Sequence, residues 1–87
     1  MADALRLRIY TPEHELFDDE VREVTAPGVY GQIGILPDHA ALVTTLEAGE
    51  LAYKKNGKTG RFRIGGGFAE VRDNVVTVLA DSGEAVG

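Results

Sequence analysis

Leu51-Ala52-Tyr53-Lys54-Lys55-Asn56-Gly57-Lys58-Thr59-Gly60-Arg61-Phe62-Arg63-Ile64 reads as one strand folded back on another. Asn-Gly accepts positive φ at both central positions of a two-residue turn, and that turn has the twist of the strands it joins. Leu51–Lys54 is therefore predicted to pair with Thr59–Ile64. Outward from this hairpin the same logic recurs. Asp73-Asn74 forms a second tight link, between Phe68–Arg72 and Val75–Ala80. The latter run is apolar at successive positions, which predicts a central strand covered on both faces. At the other end of the chain, Leu5, Leu7 and Ile9 alternate with Arg6, Arg8 and Tyr10, the period of a half-buried strand. Thr11-Pro12 ends it, because proline has no N–H for a ladder.

Two segments are harder to read. Leu16 to Ala26 is rich in β-branched residues, but Val21 and Val24 stand three apart, which predicts a bulge or a two-sided strand. Pro27-Gly28 predicts a turn after it. Further on, Asp38 could cap a helix carrying Leu42, Leu46, Gly49 and Tyr53 at helical spacing. Thr44-Thr45 and Gly49 weigh against it, since β-branched residues and glycine lower helix propensity. The preferred reading is a strand from Leu42 to Leu46 and a turn near Ala48-Gly49. Turn signals about every 8–12 residues then predict an all-β sandwich or flattened barrel of short, mostly antiparallel strands.

The 87 residues, 11 of them glycine, fit one small domain, 1–87. With no cysteine there is no disulfide framework, thiol nucleophile or thiolate metal site. No apolar run approaches the ~18 residues of a membrane span, and Met1–Arg6 lacks the basic-then-apolar order of a signal peptide. A net charge of −5 opposes duplex nucleic acid and anionic lipid. The charge is segregated. Glu13, Glu15, Asp18, Asp19 and Glu20 form an acidic stretch, while Lys54, Lys55, Lys58, Arg61 and Arg63 hold five of the nine cations. Each reads as a solvated face, or as a docking patch for a separate partner.

Catalytic chemistry finds little to use. His14 and His39 have no ligand-type spacing to each other or to a cysteine. Asp38 adjoins His39 but would point away from it on an extended chain. Asp18-Asp19-Glu20 lacks the alternation and central glycine of a calcium loop. Gly65-Gly66-Gly67 is not followed by Lys-Ser/Thr, nor by a helix start, so it reads as a flexible corner where a strand crosses to the other sheet, or where a partner's backbone comes close, rather than a phosphate cradle. Ser82, the only serine, has no base at a useful spacing. The expectation is no catalytic residue, no cofactor and no metal.

Thr25-Ala26-Pro27-Gly28-Val29-Tyr30-Gly31-Gln32-Ile33-Gly34-Ile35-Leu36-Pro37-Asp38-His39-Ala40 resembles the epsilon subunit of F-type ATP synthases, with its Gly-rich turn followed by Gly-x-Ile/Leu-Gly-Ile-Leu/Tyr-Pro-x-His-Ala. Gly65–Val71 is similar to the family's Gly-Gly-aromatic/aliphatic-x-Glu-Val, and Asn74–Asp81 to its last strand. The match runs from Leu5 to Glu84 in order. It implies a ten-stranded β-sandwich without catalytic residues, part of the central rotor stalk. Its partners would be the gamma subunit and the polar loops of the c-ring, and it would couple ion-driven rotation to ATP synthesis. By position, the resemblance assigns Pro37, His39, Leu42 and Thr44 to gamma, and Val29, Tyr30, Gly31 and Gln32 to the c-ring. Gln32 stands where relatives often carry a carboxylate; Asp38 and Ala41 replace a more usual Gly and Pro.

The resemblance also implies a place at the cytoplasmic face of a bacterial membrane as a peripheral subunit, without insertion. Relatives continue into a two-helix hairpin that restrains ATP hydrolysis. The 87 residues here end at Gly87, and are expected to support stalk assembly without hairpin-based inhibition. The alternative is a biotinyl- or lipoyl-type carrier domain, also acidic, all-β and of this size. Its lysine would be Lys55 at the Asn56-Gly57 tip, but the flanking residues do not match.

Overall fold

A computed structural model describes residues 3–86. It contains eight strands: β1 (Leu5–Tyr10), β2 (Glu15–Val21), β3 (Glu23–Gly28), β4 (Gly31–Ile35), β5 (Leu42–Lys55), β6 (Lys58–Arg72), β7 (Val75–Ala80) and β8 (Gly83–Val86). They hydrogen-bond in the order β2-β1-β7-β6-β5-β3-β4, with β8 alongside β6. All pairings are antiparallel except β1 with β7.

The predicted hairpin is present. Asn56 and Gly57 have φ of 52° and 75°, and Lys55 faces Lys58 with Leu51 opposite Phe62. Asp73 and Asn74, at φ 51° and 64°, form the second tight turn. The all-β class holds, but the strand count is eight rather than ten. β5 and β6 are 14 and 15 residues long, and each serves two layers. The first half of β5 and the second half of β6 join β7, β1 and β2. The remaining halves join β3, β4 and β8.

Gly66 and Gly67 make that change of layer possible. Along β6, Phe62, Ile64 and Gly66 are buried, and then Gly67, Ala69 and Val71. The inward face switches parity between two adjacent glycines, at φ 104° and 141°, a region that side chains other than glycine's rarely adopt. The ladder to β5 is interrupted opposite, at Glu47. The predicted turn near Ala48-Gly49 is thus a bend within a continuous strand. Gly49 is small because Pro27 lies over it, 3.2 Å from where a Cβ would stand.

Pro27-Gly28 is not a turn either. Both residues lie within β3, and the chain reverses at Val29-Tyr30. Pro27 faces Gln32 of β4, and a residue without N–H can occupy only a non-hydrogen-bonded pair there. Its nitrogen then points toward β5, where the β3–β5 ladder shifts register between Thr25 and Gly28. Leu16–Ala26, read as one interrupted segment, is two strands broken at Arg22, so that Val21 and Val24 both face inward.

Both layers close on one core: Leu5, Leu7 and Ile9 of β1 and Val76, Val78 and Ala80 of β7 meet Val24, Ala26, Leu51, Phe62 and Ile64. Each fully buried Leu, Ile or Val contributes about 1.5–3 kcal/mol. No polar side chain is buried among the described residues. Phe17, Tyr53 and Phe62 stack beside the core with centroids 4.6–6.2 Å apart. Tyr53 lies across Gly60, its cross-strand partner, where even a methyl group would collide with the ring.

Candidate functional site

Cations of β1 and of the β5 hairpin tip partly neutralise the acidic run. Asp18 of β2 accepts a 2.6 Å hydrogen bond from Arg6 Nε, with Arg8 Nε 3.7 Å away. Asp19 pairs with Lys55 at the hairpin tip and also accepts from the Glu20 N–H, at 2.7 Å. These donors hold both carboxyls below the ordinary 3.8: the Arg6 hydrogen bond foremost for Asp18, the Lys55 hydrogen bond for Asp19. A carboxyl whose pKa is lowered by folding stabilises the fold above its unfolded value and loses that contribution as pH falls through the folded one. The melting temperature should therefore fall as the pH drops below about 4. It should drop less steeply in an Asp18→Asn/Asp19→Asn chain, which starts from a lower melting temperature at neutral pH. Equal slopes in circular-dichroism melts across that range would show that the pairs do not survive in solution.

His14 closes a turn with Thr11, and His39 sits in the turn after β4, its Nδ1 donating to the Ala40 carbonyl at 2.7 Å. Among the described residues no three His, Cys, Asp or Glu side chains converge as a metal site would require. An open cleft of about 840 Å³ lies where Ser82 meets the Gly65 corner; Glu50, Arg63 and Glu84 line it, and no histidine does. No helix among the described residues is long and apolar enough to cross a membrane.

The candidate partner residues fall into two groups at opposite ends of β4. Val29 and Tyr30 form the β3–β4 turn, where Val29 N–H reaches the Thr45 carbonyl at 3.2 Å and Tyr30 is fully exposed. Gly31 and Gln32 follow at the start of β4, both exposed. Pro37 and His39 lie beyond its other end, about 20 Å away at a strand rise of ~3.3 Å per residue. Their turn is clasped to the Asp73-Asn74 hairpin. Asp38, at φ 66°, donates its N–H to Asn74 Oδ1 at 2.6 Å, and Asn74 Nδ2 returns a 3.2 Å bond to the Asp38 carboxylate.

Leu42 and Thr44 do not point the same way as their neighbours. They are half-buried on the inward side of β5, Leu42 packed on the core, while Val43 and Thr45 face out. Sequence reasoning passed over this outer face. Thr45, Phe68 and Leu79 are cross-strand partners on β5, β6 and β7, and Val43, Glu70 and Thr77 form the next row. Val43 is 71% exposed, Phe68 56% and Leu79 54%. Together they line a shallow depression of about 230 Å³. A second depression, reaching Ala41, Leu42 and Arg72, continues it toward the Pro37–Ala41 loop. One signal was available: Val75–Ala80 is apolar on both faces, yet the described residues cover only one of them.

The ATP synthase delta/epsilon chain beta-sandwich domain model matches residues 4–86. The chain is 49% identical over 84 residues to the ATP synthase epsilon chain of Carboxydothermus hydrogenoformans, covering 97% of this chain and 63% of that one. It is 47% identical over 79 residues to that of Pelotomaculum thermopropionicum, covering 91% and 59%. It thus spans about three-fifths of the length of these relatives. Its fold superimposes, with a TM-score of 0.91 and 26% identity, on a chain of the Euglena gracilis mitochondrial ATP synthase OSCP/F1/c-ring structure, covering 98% of this chain and 55% of that one. A chain of the Tetrahymena thermophila mitochondrial ATP synthase central stalk/c-ring shares the fold alone, with a TM-score of 0.78 and 20% identity over 92% of this chain and 65% of that one. With nearly every residue inside one family model, and near-half identity to epsilon chains, the chain belongs to the beta-sandwich domain family of ATP synthase delta/epsilon chains.

Proposed function

We propose that the chain is a non-catalytic rotor-stalk subunit that joins the gamma subunit to the c-ring, at the cytoplasmic face of a bacterial membrane. The observation that carries this reading is the uncovered apolar face of β5–β7. Val43, Phe68 and Leu79 expose contiguous apolar area on a rigid sheet, and Glu70 offers a single carboxylate among them. Such a face suits a protein partner. The clasped Pro37–His39 turn borders it, so gamma would bind the turn, the outer residues of β5 and the Phe68–Leu79 pair. Leu42 and Thr44 would set the position of that strand from beneath.

The Val29–Gln32 end would seat on the ring. It carries no charge, so its contacts are apolar and hydrogen-bonded rather than ionic. Assembly of gamma, ring and this chain is expected to fall only weakly with ionic strength, and more steeply for Gln32→Glu, whose carboxylate makes a salt-screened pair. Co-purification across a salt series measures both slopes, and identical slopes exclude the Gln32 assignment. Residues 3–86 hold no helix, so these residues by themselves should assemble without restraining ATP hydrolysis.

A further inference from the structure

β4 is an edge strand, and among the described residues no strand pairs with its outer side. Natural edges are commonly protected by charge, proline or a bulge. Gly31-Gln32-Ile33-Gly34-Ile35 has none of these, and Val24 through Pro37 carry no charge in a chain of net −5. Because Pro27↔Gln32 is a non-hydrogen-bonded pair, alternation makes Thr25↔Gly34 another. The N–H and C=O of Gln32 and Gly34 therefore point away from β3. Among the described residues no hydrogen bond reaches them. A Cβ at Gly34 would meet nothing, so no side chain screens the edge.

We propose that this edge pairs with the same edge of a second copy, antiparallel, about a twofold axis through Ile33. The register is self-complementary. Gln32 of each copy faces Gly34 of the other, and each such pair exchanges two N–H···O=C bonds, four in all. Continued beyond the strand ends, the same register sets Leu36 of one copy opposite Tyr30 of the other. These two side chains, 56% and 101% exposed, otherwise have no cover. One register thus satisfies four open backbone groups per copy and covers both exposed apolar residues. The interface is small, so the dimer forms at high concentration, and salt strengthens it by screening the like net charges. If the ring-seating reading holds, the dimer also hides Tyr30 and Gln32, and a subunit so paired is kept off the rotor.

Sedimentation equilibrium of the purified chain tests this without any partner. The weight-average mass should rise from 9.3 kDa toward twice that between about 10 µM and 1 mM. Gly34→Pro removes one outward N–H and leaves the β3 ladder intact; it should weaken association about tenfold or more. Gln32→Lys sets like charges diagonally across the axis and should do the same, which covers the case in which the proline variant misfolds. Oxidised Ile33→Cys should give a covalent dimer, since non-hydrogen-bonded partners lie ~4.5 Å apart at Cα and the chain has no other cysteine. Val43→Cys should not. A constant 9.3 kDa up to the highest concentration, undiminished association in both edge variants, or cross-linking through Val43 in place of Ile33 would overturn the proposal. Failure to bind the ring would remove only the exclusion from the rotor.

Discussion

Gly67→Ala is expected to destabilise the chain by about 3–5 kcal/mol, a large fraction of the ~5–15 kcal/mol that holds a domain together. Two costs combine. The backbone there has φ 141°, a strained conformation for any residue with a side chain. In addition, a Cβ would overlap the Leu79 carbonyl oxygen and stand 2.9 Å from Ala80 Cα. Both obstacles are backbone of β7, the strand paired with Gly67 through Ala80, so relief requires opening the ladder that closes the core. Gly65→Ala, two residues earlier, is the control. Its Cβ would meet the Ser82 hydroxyl, an exposed side chain free to rotate, so the loss should stay below about 1 kcal/mol. Urea melts of both variants measure the difference. Similar midpoints would mean that the parity switch at Gly66–Gly67 is not the joint on which the two layers depend.

That joint shows where sequence reading succeeds and where it stops. Asn56-Gly57 and Asp73-Asn74 announce themselves because the turn geometry needs positive φ and few residue pairs accept it. Leu5–Tyr10 is legible because one face is buried and the other wet, which imposes period two. Gly49 and Pro27-Gly28 mislead for a shared reason. Each is a breaker by composition, but here glycine makes room for a ring stacked from the neighbouring strand, and proline sits at a position where its missing N–H disrupts only one side. Those are facts about neighbours distant in sequence, as is the parallel pairing of β1 with β7. Gly83–Val86 gives no strand signal at all; Glu84 and Ala85 favour strands poorly, and the pairing to Arg61–Ile64 is what makes them one. The proposed partner surfaces follow the same division. The loop residues Val29–Gln32 and Pro37–His39 could be placed by their motif, and the structure sets them at the two ends of one short strand. On β5 the motif could not say which of two alternating sets faces outward, because a strand with Leu42 and Val43 adjacent is apolar on either side. Only the register against Glu70 and Phe68 resolves it.

Phe68→Asp is therefore expected to abolish gamma binding in practice, weakening it by about 100-fold or more, with little change in the melting temperature. Phe68 lies at the centre of the exposed row, between Thr45 and Leu79, and its ring is more than half in water before any partner arrives. Removing it costs the free chain little packing. In a complex, the aspartate would be desolvated against an apolar surface beside Glu70, so a second carboxylate would be buried in a depression that no cation lines. Leu42→Ala should behave differently. Leu42 packs on the core from the other side of β5, so its truncation should lower stability and weaken binding together. Lys58→Ala, at the far hairpin tip, should change neither. Calorimetric titration of gamma with the three variants, alongside their thermal melts, separates a contact surface from a merely exposed one. If Phe68→Asp binds gamma as the unmodified chain does while Leu42→Ala binds poorly at equal stability, then the inward set of β5 with the Pro37–His39 turn makes the contact, and the apolar row on β6 and β7 serves some other surface.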